Sequence, residues 1–369
     1  MTAAQTKMGV FVVVTLASFF VAAGYTFYAS RASRSSRSPV PAEARPQPAP
    51  SPSMPTPAEP IAAPTRGQAK PSPISEVHAP AAPAQPYVIA LNMRESPERG
   101  QVEFFALDTV GARTTTGLRC ERTYFAGGKG VCLSREIKFY AAESVATFTD
   151  DRFQPLFDVR TPGIPSRARI SRDGRRAAFT VFVSGHSYAD PALSTTTLLV
   201  DLTTQQTIAN LEAFQVWKDG RAIKALDFNY WGVTFERDSN FFYATLRTAG
   251  VNYLVRGDIM ARAVTVVFPG VECPSLSPDE TRVAFKKAVG RFEWRLAVLD
   301  LESFEVVTLP EMRSVDDQAE WLDNTRVLYG MPDPAPWMTI MVTAADGTGQ
   351  PAVFAKGAAS PAVVPQFRP

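Results

Sequence analysis

Ser277-Pro278-Asp279-Glu280-Thr281-Arg282-Val283-Ala284-Phe285 is a polar turn that runs directly into a short apolar strand. Behind it come a second apolar run closed by an aspartate, Trp294-Arg295-Leu296-Ala297-Val298-Leu299-Asp300, and a third, Glu305-Val306-Val307-Thr308-Leu309. Pro and Asp after Ser favour a chain reversal. Runs of this length, rich in Val, Leu and Phe and bounded by turn residues, read as strands, not helices. The stretch is one antiparallel unit.

The unit recurs. The same turn-then-strand pattern appears as Ser171-Arg172-Asp173-Gly174 before Ala177-Ala178-Phe179, and as Arg237-Asp238-Ser239-Asn240 before Phe241-Phe242-Tyr243. A further copy is Leu322-Asp323-Asn324 before Val327-Leu328-Tyr329. Weaker copies are Gly127-Gly128-Lys129-Gly130 before Val131-Cys132-Leu133, and Val88-Ile89-Ala90. The second strand of a unit tends to end in Asp, as at Asp108, Asp201, Asp258, Asp300 and Asp346. Four strands per unit at a period of about 45 residues is the pattern of a propeller blade, and the copies predict an all-β, six-bladed β-propeller.

A propeller must close its ring or leave strand edges open to aggregation. The first unit, starting at Tyr87, lacks an innermost strand, and Ser360-Pro361-Ala362-Val363-Val364 stands unassigned near the C-terminus. The reading assigns that tail to the first blade, giving a domain over residues 86–365. Between the third and fourth copies the spacing is about 20 residues longer than elsewhere, and Lys218-Asp219-Gly220-Arg221 there predicts an inserted hairpin on the rim.

Those turns and strands resemble the repeat of TolB-like, WD40-like β-propellers. More narrowly, Phe228-Asn229-Tyr230-Trp231-Gly232-Val233-Thr234-Phe235, Val271-Glu272-Cys273-Pro274-Ser275-Leu276-Ser277-Pro278-Asp279 and Ser314-Val315-Asp316-Asp317-Gln318 are similar to a group of membrane-anchored bacterial TolB-like proteins. The resemblance covers nearly all of residues 86–365 and implies a six-bladed propeller outside the cytoplasm. It does not carry over TolB's role in the Tol system. The N-terminal 85 residues depart from TolB, and a companion N-terminal domain is not evident.

Residues 1–7 form a short tail, and from Met8 to Ser30 no side chain is charged. An apolar helix of about 20 residues crosses roughly 30 Å of hydrocarbon, so residues 8–30 read as a transmembrane anchor. Ser30-Arg31-Ala32 offers the alternative of a cleaved secretory signal, and both readings export the rest of the chain. Lys7 before the helix and Arg31, Arg34 and Arg37 after it run against that orientation. Residues 31–85 are dominated by Pro, Ala, Ser and Arg with almost no aromatic or β-branched side chains. Such a segment buries too little surface to offset its ordering entropy, and reads as a disordered, polyproline-biased tether. The expected location is the cell membrane, single-pass, with the propeller extracytoplasmic.

With 38 basic and 36 acidic residues the net charge is +2, and no basic cluster interleaved with aromatics appears, which excludes nucleic acid as a partner. Of the two histidines, His78 lies in the tether and His186 in Gly185-His186-Ser187-Tyr188-Ala189, which lacks the second glycine and the α/β setting of a nucleophile elbow. Three cysteines, without a C-x-x-C pair or matching histidines, make no zinc site. Cys120 and Cys132 flank the Gly-rich turn of the second blade and in an oxidising compartment could pair as a disulfide on neighbouring strands; the alternative is two buried thiols. Cys273 reads as a core thiol.

The loops that enter the innermost strands share one face of a propeller with those joining the two middle strands. Asp227, Asn229, Glu272, Asp316 and Asp317 lie just before or at the start of predicted innermost strands, and so are expected near the mouth of the central channel. A ring of carboxylates and an amide suits a hard cation such as Ca²⁺, or a polyol or cationic peptide group. The alternative is ordinary solvated loop acids. No other cofactor and no catalytic residue is indicated. The leading expectation is a non-catalytic binding or scaffolding module for an envelope protein, peptide or polymer. The competing one is a hydrolase or lyase of envelope glycans, which needs a suitably spaced carboxyl pair in an open channel.

Overall fold

In a computed structural model, described for residues 86–107, 111–138, 141–183, 194–333 and 338–365, the chain forms sheets and a single 3₁₀ turn at Leu211–Ala213. The predicted anchor, the tether, His78 and His186 lie outside the described residues. Among those described, no helix is long and apolar enough to cross a membrane.

Blade 1 holds β1 (Tyr87–Asn92), β2 (Gln101–Ala106) and β3 (Thr114–Arg119), and blade 2 holds β4 (Arg122–Ala126), β5 (Lys129–Lys138), β6 (Ala141–Thr149) and β7 (Pro155–Pro162). Blade 3 follows with β8 (Ile164–Ile170), β9 (Arg176–Val183), β10 (Ser194–Asp201) and β11 (Gln206–Asn210). The insertion forms β12 (Gln215–Lys218) and β13 (Arg221–Ile223), ahead of blade 4 with β14 (Asn229–Phe235), β15 (Phe241–Thr248), β16 (Val251–Asp258) and β17 (Ala263–Pro269). Blade 5 contains β18 (Glu272–Leu276), β19 (Arg282–Gly290), β20 (Glu293–Asp300) and β21 (Val306–Thr308). Blade 6 contains β22 (Glu320–Trp321), β23 (Arg326–Pro332), β24 (Met338–Ala344) and β25 (Ala352–Lys356), and the last strand is β26 (Ala358–Val364).

The four strands of each blade pair antiparallel, and β26 returns to blade 1 in the order β26-β1-β2-β3. Tyr87 pairs with Val364 and Ile89 with Ala362, so the tail supplies the missing innermost strand. A salt-bridged clamp secures the seam. Glu103 on β2, wholly buried, takes Arg94 at 2.6 Å and Arg113 at 2.9 Å, while the Met93 amide donates to the Gly357 carbonyl at 2.8 Å.

The apolar residues segregate into six clusters, one between each pair of neighbouring blades. Val131, Phe148, Phe179 and Val200 join blades 2 and 3, for example, and Ala284, Leu296, Tyr329 and Met341 join blades 5 and 6. A sheet buried on both faces needs apolar side chains on both, which is why the second strands read Ala-Ala-Phe and Val-Ala-Phe without strict alternation.

The repeated turns interlock at one end of the ring. Ser171 and Ser277 each donate their hydroxyl to the aspartate two residues on, at 2.6 Å. Each turn then grips a neighbour: Ser239 Oγ donates to Asp173 at 2.7 Å, and the Asp279 amide donates to Asn324 at 3.1 Å. Arg172 reaches from the blade 3 turn to the Pro278 carbonyl of the blade 5 turn at 2.7 Å. Gly127 sits so close to the blade 3 turn that a Cβ there would lie 2.2 Å from the Gly174 nitrogen.

Two readings change in detail. The inserted hairpin does form, with Lys218 opposite Arg221 across Asp219 and Gly220, both at positive φ. It lies at the rim, where β12 runs parallel beside the outermost strand β17 and widens blade 4 to six strands. Cys120 lies on the connection after β3, not on a strand, and is bonded to Cys132 on β5 with the Cα atoms 5.3 Å apart. The link therefore ties the exit of blade 1 to blade 2.

Candidate functional site

The innermost strands β26, β4, β8, β14, β18 and β22 bring one side-chain network across the axis. Side chains two apart on a strand share a face. On β8 that places Arg167 and Arg169 together, at different depths in the channel. Arg169 forms an ion pair with Glu320 of β22, both nearly buried, and also donates to the Ala319 carbonyl at 2.6 Å and Ser275 Oγ at 3.2 Å. Its guanidinium lies 4.5 Å from the centre of the Tyr124 ring. Glu320 accepts in addition from the Tyr124 hydroxyl at 3.2 Å and the Val363 amide at 3.1 Å. One carboxylate and one guanidinium thus connect blades 1, 2, 3, 5 and 6, and Gln318 Nε2 reaches blade 4 at the Val233 carbonyl, 3.3 Å away. Burial, reinforced by Glu320, pushes the Tyr124 hydroxyl up to about 12. The waist of the channel is occupied by protein.

At the loop-rich mouth above it, three cations meet three carboxylates. Arg122 at the start of β4 donates Nε to the Ser166 carbonyl at 2.9 Å, and Arg167 donates Nη1 to the same oxygen at 3.0 Å. Lys286 on β19 holds Asp316 at 2.5 Å and lies 4.1 Å from the Trp294 ring centre. Arg167 stands 3.6 Å from the same carboxylate. Burial would raise the Asp316 carboxyl, but Lys286 and Arg167 outweigh it and hold the group below its usual range. Asp317 accepts from the Gly330 amide at 2.9 Å. Glu272 is buried and takes Trp294 Nε1 at 3.0 Å.

The other two candidates face elsewhere. Asp227 closes the β15–β16 turn by accepting from Thr248 Oγ1 at 2.7 Å and the Ala249 amide at 2.6 Å. Asn229 is buried against blade 3, where its Oδ1 accepts the Thr195 amide at 2.8 Å. Glu272, Asp316 and Asp317 gather near Lys286, while Asp227 and Asn229 are committed within blades 3 and 4. Among the described residues no group of three or more His, Cys, Asp and Glu is placed to hold a metal. Trp321 is packing, its Nε1 donating to the Ser275 carbonyl at 2.8 Å in the core between blades 5 and 6. Cys273 is a buried free thiol. A separate cleft of about 600 Å³ lies at the insertion, lined by Phe214, Ile223, Leu226 and Phe228 with Lys224 and Arg262.

The cations were the part not anticipated. Their signal was present: Arg167-Ala168-Arg169 puts two arginines on one face of a predicted innermost strand, and Arg122 opens another.

Among solved structures, TolB from Acinetobacter baumannii matches this chain with a TM-score of 0.51 at 17% identity, over 76% of this chain and 67% of its own. The fold is a TolB-like six-bladed β-propeller. At that identity the likeness extends to fold alone. A protein of Agrobacterium tumefaciens described as TolB matches with a TM-score of 0.45 at 12% identity, over 74% of this chain and 89% of its own. A puromycin-hydrolyzing peptidase of Mycobacterium tuberculosis matches with a TM-score of 0.41 at 14% identity, over 78% of this chain and 55% of its own. No family model and no curated protein matches the sequence.

Proposed function

We propose that the chain is a non-catalytic binding module, anchored in the bacterial cell membrane and exposed to the envelope, which engages a protein or peptide through the loop-rich face of its propeller. The observation that carries this reading is the filled waist. With Arg169 and Glu320 spanning the axis, a ligand has the mouth and the surrounding face, not a through-channel, to bind. A glycosidase needs a carboxylic acid kept protonated by a raised pKa. Asp316, the most exposed acid at the mouth, is shifted the other way.

That face also displays apolar side chains that a solitary domain would do better to hide. Ile164 at the start of β8 pairs with Phe182 near the end of β9, and they are 40% and 38% exposed. Ile137 near the end of β5 is 76% exposed, and Phe292 in the turn after β19 is 64% exposed. Exposed aromatic and aliphatic residues gathered around a polar centre are the usual composition of a protein-docking surface.

A photo-reactive residue placed at Phe292 in one variant, and at Phe304 in the turn on the opposite face in another, tests the reading in intact cells. A discrete adduct from position 292 that is absent from 304 and lost in Phe182→Asp supports it. Equal patterns from both positions overturn it. Export is tested separately by labelling a cysteine introduced at Ser51 with a membrane-impermeant thiol reagent: labelling only after permeabilisation refutes the envelope location.

A further inference from the structure

The mouth of the channel was expected to be acidic, and it holds as many cations as carboxylates. We propose that Arg122, Arg167 and Lys286 form a binding site for a carboxylate of a partner peptide, and that Asp316 occupies this site as a displaceable internal ligand. The proposal deepens the binding-module reading and rests on it.

Three observations carry it. First, Arg122 and Arg167 both donate to the Ser166 carbonyl, at 2.9 and 3.0 Å, so two guanidinium groups are held side by side by one neutral oxygen. Like charges placed so close are unfavourable until an anion joins them. Among the described residues Arg122 has no ion-pair partner, and Arg167 Nε is buried without an acceptor.

Second, of the acids present only Asp316 forms ion pairs with these cations. Three cations stand against Asp316, Asp317 and Glu272, and Asp317 accepts at Oδ2 from the Gly330 amide. Glu272 is turned to Trp294. With Glu272 counted, three carboxylates balance the three cations, so an incoming carboxylate is accommodated by taking the place of Asp316, charge for charge; a phosphate dianion would bring more negative charge than it displaces.

Third, Asp316 is exposed where its cations are not. Its side chain is 65% accessible, against 5% for Lys286 and 12% for Arg167. It belongs to a connection between β21 and β22 without regular structure, so a rotation of its side chain opens the cations to solvent. A peptide is favoured over an acidic polysaccharide because β19, the strand of Lys286, ends at this face with Val289 and Phe292, 51% and 64% exposed, which offer apolar contact to the rest of a peptide.

The test is fluorescence anisotropy with the full-length chain in detergent, using fluorescein-labelled hexaglutamate amide for side-chain carboxylates. Labelled Ala-Leu-Phe, with either a free or an amidated C-terminus, serves for the main-chain carboxylate. Saturable binding by either carboxylate is expected, weakened about tenfold or more by Arg167→Gln and by Lys286→Gln, as the loss of a charge-assisted contact requires. Asp316→Ala should tighten binding severalfold, a gain that misfolding cannot imitate. Arg175→Gln, an exposed cation at the opposite end, should leave it unchanged.

The proposal falls if neither peptide saturates, if Arg175→Gln matches Arg167→Gln, if Asp316→Ala does not tighten binding, or if inorganic phosphate or polygalacturonate binds while the peptides do not. A cross-link from Phe292 that survives Arg167→Gln would remove this site and leave the binding face standing. Carboxylate binding without any cross-link would do the reverse.

Discussion

Replacing Glu320 by Gln keeps the shape of the axial network and removes its carboxylate. Arg169 and Glu320 have side chains 6% and 8% exposed, so the variant leaves a guanidinium in the channel without its counter-charge. Breaking such a pair costs about 3–5 kcal/mol, because the surviving charge keeps its desolvation penalty. The Ala319 carbonyl and Ser275 hydroxyl remain as neutral acceptors for Arg169, which places the expectation at the lower end. For a domain of this size each kcal/mol lowers the melting temperature by roughly 2 °C, so a fall of about 6 °C is expected. Urea melts of Glu320→Gln, Arg169→Met and the double variant measure it. In the double variant the amide still accepts from Tyr124 and Val363 while no unpaired charge remains, so it should recover about 2 kcal/mol relative to the sum of the singles. A loss below about 1 kcal/mol in Glu320→Gln, or strict additivity in the double variant, would refute the reasoning that this pair holds the blades together across the axis.

Glu311 accepts the Arg313 amide and Nε, both at 2.9 Å, its Nη2 at 2.7 Å, and the Tyr329 hydroxyl at 3.0 Å. Burial would raise its carboxyl, but these donors bring it down to about 2. A carboxyl lowered on folding contributes stability that is complete above its unfolded value near 4.5 and lost as pH falls toward 2. Glu311→Gln should therefore flatten the stability profile between those limits by on the order of 1–3 kcal/mol, the lower figure allowing for the exposed Arg313, while leaving its slope above about pH 6 unchanged. The Cys120–Cys132 bond predicts one titratable thiol, Cys273, in denaturant without reductant and three with it; three in both conditions would exclude the bond. Cys132→Ser should cost about 2–4 kcal/mol in urea under oxidising conditions and nothing further when reductant is added. At Gly127, φ is +55° and a new Cβ meets backbone of the next blade, so Gly127→Ala should destabilise by about 2–4 kcal/mol by thermal melting; a neutral result would mean that blades 2 and 3 can part at this turn without loss.

The fold was legible because propeller repeats are written locally. Ser277, Asp279 and the apolar run from Val283 to Phe285 lie within nine residues, and the hydroxyl-to-carboxylate bond between Ser277 and Asp279 that makes the turn recur is a two-residue event. Ring closure was legible for a different reason, since an innermost strand missing at Tyr87 and an unassigned strand at Ser360–Val364 are complementary deficits. What was not legible is how the insertion would pair at the rim. Lys218-Asp219-Gly220-Arg221 specifies a hairpin, but the parallel pairing of Gln215 with Ala263 depends on an open edge at β17 some 50 residues later, which no local pattern announces.

The charge of the mouth failed to be legible for a related and more general reason. Glu272 opens β18 and Asp316 and Asp317 lie ahead of β22, and from the local sequence each looks like an acid facing solvent. Their cations come from Arg122, Arg167 and Lys286, which stand on three other strands and meet Asp316 only when the ring closes. A propeller channel sums charges across all its blades, so a site built from the acids of the loops alone counts one side of that sum. Counting both sides gives a balanced mouth, in which the proposed carboxylate would replace Asp316 on the cations. It also explains why Asp316, highly exposed and anchored by a buried lysine, is the residue whose removal should strengthen binding.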